Sequence, residues 1–240
     1  MSNNEKHNKA NCGETSCHAD ACDEAKECCD LIEDCCDYYD RRVIVGHHAP
    51  DFTAPAVLGS GEITGEYNFK AATKDKYAVV FFYPLDFTFV CPSELIAFDH
   101  RLADFKARNV EVVGISIDSH FTHNAWRNTP VAKGGIGHVG YTLVADLTHS
   151  ISRAYGVESD GGMAYRGSFL IDRSGVVRHM VVNDLPLGRN IDEMVRMVDA
   201  LQFTEEHGEV CPAGWKKGKS GMKADPKGVA DYLATHSNDL

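Results

Sequence analysis

Short β-branched runs alternate along this chain with stretches in which apolar residues recur every three or four positions. The run Tyr77-Ala-Val-Val-Phe-Phe-Tyr83 is apolar throughout, with charge before it and Pro84 after it. A continuous run this short predicts a central strand covered on both faces. Beyond the loop 84–90, Leu95, Ile96, Phe98, Leu102 and Phe105 recur at helical spacing. Pro92 and Glu94 just ahead of them are helix-start signals, which puts Cys91 at or beside the N-cap. Residues 110–117 predict a second strand, 121–133 a helix broken near Pro130, 142–145 a short strand and 150–155 a short helix. Residues 165–172 and 176–182, joined by Arg173-Ser-Gly175, read as a hairpin. From Ile191 to about Phe203, Met194, Val195, Val198 and Leu201 share one face of an amphipathic helix. Strands alternating with helices and ending in a hairpin predict an α/β sandwich with a mixed central sheet flanked by helices.

Charge and cysteine content divide the chain unevenly. The net charge is −11, and residues 1–40 contribute most of it, with eleven Asp or Glu against three Lys. The same segment holds seven of the nine cysteines: Cys12, Cys17, Cys22, Cys28, Cys29, Cys35 and Cys36. High charge and few apolar residues make it a poor core former, so a disordered tail is expected over 1–42. Its thiols lack zinc-finger spacing, yet soft sulfur ligands in an acidic segment suit copper(I), zinc or a heavy metal. The rest divides into a domain over 43–205 and a C-terminal arm over 206–240. No apolar stretch approaches the ~18 residues of a membrane span, and the N-terminus lacks the apolar segment of a secretory signal. A cytoplasmic location is expected. No dominant basic patch offsets the acidity, which argues against nucleic acid or membrane as partners.

The two remaining cysteines, Cys91 and Cys211, each precede a proline. Free backbone N–H groups and the positive end of a helix dipole favour an anion, so a cysteine at a helix start is a candidate reactive thiolate. The reading requires that sulfur to be within reach of a small oxidant. Thr88, three residues upstream, can accept one hydrogen bond and donate another. Pro84 removes an N–H and stiffens the loop. Arg166 shares a strand face with Ser168 and Leu170; an arginine there ordinarily faces solvent. Of the twelve histidines, the pairs His47/His48 and His120/His123 sit in polar loops or at a helix start, and none is assigned a metal.

PLDFTFVCP resembles the active-site motif of peroxiredoxins, Pro-x-x-x-Thr-x-x-Cys, with Pro84, Thr88 and Cys91 at the matching positions. AYRGSFLID, NDLPLGR and FTEEHGEVCPAGW are similar to segments of the typical two-cysteine subfamily, and the resemblance runs from about Val43 to the C-terminus. It implies a thioredoxin-like fold and a peroxidase that reduces hydrogen peroxide and organic hydroperoxides without a cofactor. Cys91 then attacks the peroxide and becomes a sulfenic acid. Cys211, from the other subunit of a dimer, resolves it as a disulfide. Arg166 matches the family's active-site arginine, with Glu94 and Arg189 supporting it. The resemblance further implies a homodimer, a ring of dimers (a decamer), and thioredoxin or a dedicated flavin disulfide reductase as electron donor. Gly134-Gly135-Ile136-Gly137 is similar to the Gly-Gly-Leu-Gly loop of members sensitive to sulfinic-acid formation. Their terminal Tyr-Phe is matched here only by Tyr232-Leu233.

Two other readings stand beside this one. A thioredoxin-like reductase would carry Cys-x-x-Cys, but position 94 is Glu94. A chaperone-like oligomer, or a soft-metal protein acting through the tail, would be non-enzymatic.

Overall fold

The computed structural model describes residues 43–239; the acidic segment 1–42, with its seven cysteines, lies outside them. Seven strands form one sheet: β1 (Thr53–Val57), β2 (Ile63–Asn68), β3 (Tyr77–Phe82), β4 (Val110–Ser116), β5 (Thr142–Ala145), β6 (Arg166–Ile171) and β7 (Val177–Asn183). Their order is β2-β1-β5-β4-β3-β6-β7. The central strands β3, β4 and β5 are parallel, and β1, β2, β6 and β7 add antiparallel edges. This is the mixed sheet expected from the alternation. All six residues of β3 are buried, because helices cover both faces of the strand.

The period-two alternation of β3 sorts its side chains between two cores. Tyr77, Val79 and Phe81 face α2 (Cys91–His100), α3 (Leu102–Ala107) and α6 (Ile191–His207) through Leu95, Phe98, Phe105 and Val198. Phe81 stacks on Phe98 with ring centroids 4.0 Å apart. Truncating such a ring to alanine costs about 3–5 kcal/mol. Ala78, Val80 and Phe82 face the opposite core, where Phe82 and Phe169 meet edge to face near Tyr155. That side is closed by α1 (Phe69–Ala72) and α5 (Ser150–Ala154), while α4 (His120–Asn128) brings Trp126 to the first core.

The single helix expected after Cys91 is two, because the backbone breaks at Arg101 (φ −100°, ψ 2°) between α2 and α3. Both are tied to α6. Arg101 Nε donates to Asp192 at 2.5 Å, and Arg108 grips Asp199 with two bonds of 2.7 and 2.9 Å. The helix expected over 121–133 stops at Asn128, and a 3-10 turn, Val131–Lys133, follows Pro130. Helix α6 continues to His207, four residues past the end expected near Phe203, and ends on Gly208 in a left-handed conformation.

The arm beyond Gly208 folds back on α6. A lone bridge between Val210 and Met222 closes a loop, whose Trp215 is buried against Phe203 with centroids 4.7 Å apart. Arg196 Nη1 donates to the Trp215 carbonyl at 2.7 Å. The last helix, α7 (Pro226–His236), buries none of its residues, and Leu233 stays exposed. None of the described helices is long and apolar enough to cross a membrane.

Candidate active site

The site lies where β3 ends and α2 begins. Tyr83 and Pro84 leave the sheet buried, and the 84–90 loop returns the chain to the first turn of α2. Cys91 is the first helical residue, with Pro92 second and Val90 as the N-cap, so the helix starts one residue earlier than Pro92 suggested. The N–H groups of Ser93 and Glu94 turn back to the Val90 carbonyl at 3.1 and 3.4 Å. That of Cys91 has no acceptor among the described residues. One free donor and the helix dipole therefore sit beside the sulfur.

Thr88 Oγ1 lies 2.9 Å from Cys91 Sγ and 2.8 Å from the Leu85 carbonyl. Its single proton serves one of them at a time. With the proton on Leu85, the hydroxyl accepts from a thiol; turned the other way, it donates to a thiolate. On the far side, Arg166 Nη1 stands 3.4 Å from Sγ. The same nitrogen donates to Glu94 Oε2 at 2.6 Å, and Nε is anchored on the Leu185 carbonyl at 2.7 Å. Leu185 belongs to the NDLPLGR segment, which thus positions the guanidinium through its backbone. The alternation in β6 places Arg166 as expected, on the face of Leu170. It is not solvated, however, being only 3 % exposed.

Glu94 holds both arginines. Arg189 reaches it through Nε to Oε1 at 2.7 Å, Nη2 to Oε2 at 3.0 Å and its own N–H to Oε1 at 2.9 Å. Arg189 Nη1 donates to the carbonyls of Phe82 and Gly167 at 2.9 and 2.7 Å, and its guanidinium lies over the Phe81 ring. Burial raises the Glu94 pKa, but the hydrogen bonds and charge of Arg189, followed by Arg166, outweigh it and leave the carboxyl below its ordinary value. For Arg166 burial acts downward, and the bonds and charges of Cys91 and Glu94 reverse it to a net rise. Two guanidiniums and one carboxylate leave one positive charge unbalanced next to the sulfur.

Two placements bear on how the site is reached. Cys91 has no exposed surface, so its sulfur is not open to solvent in this conformation; Thr88, Val90 and Pro92 around it are only half-buried. Cys211 is also remote from it. Its Sγ sits 3.6 Å from the Ala200 carbonyl and 3.8 Å from Thr204 Oγ1, against the second half of α6. Arg189, which touches the Cys91 network, precedes the first turn of that helix. At ~1.5 Å per residue, the ten positions from the N-cap Asn190 to Ala200 span about 15 Å. The structure thus brings together Thr88, Cys91, Glu94, Arg166 and Arg189, places Pro84 buried at the head of the loop, and leaves Cys211 of the same chain apart.

Sequence reasoning missed a second polar cluster behind the loop. Asp86 Oδ2 lies 2.7 Å from His123 Nδ1, and Tyr83 donates to Asp86 Oδ1 at 2.9 Å. The sequence signal was an Asp inside an active-site loop that is apolar but for Thr88.

A mixed sheet with helices on both faces and a buried cysteine at a helix start between threonine and arginine is the architecture of a thiol-dependent peroxidase. The AhpC/TSA family model matches residues 45–180, and the model for the C-terminal domain of 1-Cys peroxiredoxin matches 200–235. Alkyl hydroperoxide reductase C of Helicobacter pylori is 57% identical over 198 residues, covering 82% of this chain and 100% of that protein. Peroxiredoxin-2 of Mus musculus is 51% identical over 197 residues, 80% of this chain and 96% of that one. The reduced 2-Cys peroxiredoxin of Plasmodium vivax superposes with a TM-score of 0.77 at 51% identity, covering 80% of this chain and 98% of that chain. A Plasmodium yoelii Prx1a, described as modified at the N-terminus and forming an artifactual octamer, matches with a TM-score of 0.65 at 50% identity over 72% of this chain and 100% of that one. The chain belongs to the AhpC/TSA family of peroxiredoxins and is a thiol-dependent antioxidant peroxidase.

Proposed function

We propose that Cys91 is the peroxide-reducing residue, that Thr88 and Arg166 orient and polarise the peroxide, and that Cys211 of a second subunit resolves the product. The observation that carries this is the pair of donors 2.9 and 3.4 Å from Cys91 Sγ, next to a buried network with one unbalanced positive charge. A buried charge without a partner is costly, and a thiolate supplies the missing negative charge. Pro84 keeps a backbone N–H and its water away from the sulfur.

In the reaction the thiolate attacks one peroxide oxygen and the O–O bond breaks. The other oxygen leaves, taking up a proton, as water or an alcohol. Thr88, Arg166 and the free N–H of Cys91 are fixed donors for the charge that develops on both oxygens, where such donors contribute most. Cys91 becomes a sulfenic acid. Access to the buried sulfur requires the half-buried rim at Thr88, Val90 and Pro92 to give way, which a molecule as small as hydrogen peroxide demands least.

Resolution is a condensation: the Cys211 thiol attacks the sulfenic sulfur, forming a disulfide and releasing water. A disulfide needs Cα atoms within about 7 Å. The ~15 Å run of α6 argues against closure inside one chain and supports a homodimer that exchanges arms, with the first turn of α2 unwinding first. We extend this to a ring of dimers, with thioredoxin or a flavin disulfide reductase as donor, and to an organisation of tail 1–42, domain 43–205 and arm 206–240. A cytoplasmic site of action fits a cycle that restores free thiols.

The test is one equivalent of hydrogen peroxide followed by non-reducing electrophoresis and peptide mass spectrometry. The expected product is a Cys91–Cys211 link between chains. Cys91→Ser should lose peroxide consumption while keeping the fold, and Cys211→Ser should accumulate sulfenic acid without cross-linking. Equal, slow consumption by wild type and Cys91→Ser would sink the assignment.

A further inference from the structure

The Asp86–His123 pair is buried, titratable and outside the chemistry described so far. Both side chains are fully enclosed. His123 Nε2 faces the Val144 carbonyl at 3.2 Å and Nδ1 faces Asp86 Oδ2 at 2.7 Å. The carbonyl is an acceptor only, so Nε2–H donates to it and a second proton is shared between Nδ1 and the carboxylate. Tyr83 donates to the other carboxylate oxygen. The Asp86 backbone is held as well: its N–H donates to Asp118 Oδ2 at 2.8 Å, and Ser116 steadies that carboxylate at 2.7 Å. Three elements, the end of β3, the end of β4 with the turn behind it, and α4, therefore converge on one residue of the 84–90 loop.

That loop carries a strain the latch must oppose. Phe87 adopts φ +54°, a left-handed conformation unfavourable for a bulky side chain. Its ring rests on Trp126 at 5.7 Å but is half exposed, and Phe89 is almost wholly exposed. Little apolar burial holds the loop down. Releasing Asp86 would let Phe87 relax and carry Thr88 away from Cys91, since the Thr88 hydroxyl is hydrogen-bonded to Leu85 beside Asp86.

We propose that Asp86 and His123 are positioning residues whose bond holds the 84–90 loop closed over Cys91 and thereby sets how fast the oxidised sulfur is handed to its resolving thiol. This rests on the reading that Cys91 is oxidised and then resolved by Cys211. A tight latch keeps Thr88 in place for attack on peroxide and delays unwinding. A latch that is weakened but still mostly closed speeds disulfide formation at little expense to the first step, because Thr88 then stays beside Cys91 for most of the time and Arg166 is anchored independently on Leu185 and Glu94.

Asp86→Asn preserves shape and turns charge-assisted bonds into neutral ones, which are roughly half as strong. Rapid-quench alkylation and mass spectrometry on the full chain separate second-order oxidation of Cys91 from first-order disulfide formation. The expected result is disulfide formation faster by on the order of fivefold, with oxidation within threefold of wild type. Less Cys91 should also reach the sulfinic acid at a fixed peroxide excess. Asp118→Ala, which removes the acceptor of the Asp86 N–H from a half-buried position, should act in the same direction and decides the matter if Asp86→Asn does not fold. Disulfide formation unchanged within twofold, or both steps slowed together as in a merely weakened fold, overturns the latch while leaving the peroxidase assignment standing. A wild-type protein that forms no Cys91–Cys211 disulfide overturns the underlying reading instead, and is seen without any variant.

Discussion

A single threonine proton illustrates how finely the site is set. Thr88 has two acceptors within 2.9 Å and one hydrogen to give. Thr88→Val keeps the β-branched shape and removes the hydroxyl, so second-order peroxide reduction should fall by roughly 100-fold, the usual effect of losing one fixed transition-state donor. Thr88→Ser should retain most of the rate; stopped-flow kinetics distinguishes the two. Glu94 is a stability residue as much as a positioning one. Replacing it with Gln strands two buried guanidiniums, and breaking such a pair costs about 3–5 kcal/mol. Its folded pKa lies below the ordinary 4.5, so as pH falls the unfolded chain takes up the proton first. The stabilisation is complete above that ordinary value and is lost as pH falls through the lower folded one. Chemical denaturation as a function of pH should show wild type and Glu94→Gln converging on the acid side. Legibility at this scale was uneven. Pro84, Thr88 and Cys91 are legible as a group because one short motif carries them, and Arg166 because a second segment, AYRGSFLID, marks it. His123 was passed over as an ordinary helix-start histidine, because its partner Asp86 is 37 positions away and only the fold brings them together.

Among the elements, those with a strong period or a continuous apolar run were foreseen. The run at β3, the strand at β5 and the apolar stripe of α6 were readable because burial on a defined face imposes the pattern. Strands β1 and β2 were not anticipated. Thr53–Val57 carries alanines and a proline in place of bulky β-branched residues, and β2 is mostly exposed. The split of α2 from α3 was equally hidden, since apolar spacing continues across Arg101. The glycine-rich loop after α4 has a packing duty that its composition did not reveal. A Cβ on Gly135 would lie 1.8 Å from the Thr129 carbonyl oxygen, and the loop accepts the Trp126 indole N–H on Gly134 at 2.8 Å. Gly135→Ala should therefore displace Ile136 from the core and destabilise by about 3 kcal/mol, read as a lowered midpoint in urea with unchanged slope. Helix α7, the expected counterpart of a Tyr-Phe cover, is capped by Asp225 but buries nothing of its own. Within the chain it adds no lid over Cys91.

For the molecule as a whole, the long helix α6 acts as a spacer. Its near end touches the network around Cys91 and its far half carries the arm with Cys211. On the proposed pairing of Cys91 with Cys211 of a second copy, a solitary copy carries both thiols without being able to join them. Diluted below the concentration at which copies associate, the protein should spend its reducing equivalents once and stall, so turnover per molecule should fall more steeply than linearly with dilution in a coupled assay. A covalently tethered pair should be immune to that loss. In a cell, the abundance of this chain would then set the capacity for removing peroxide and also whether each copy behaves as a catalyst or as a reagent used once.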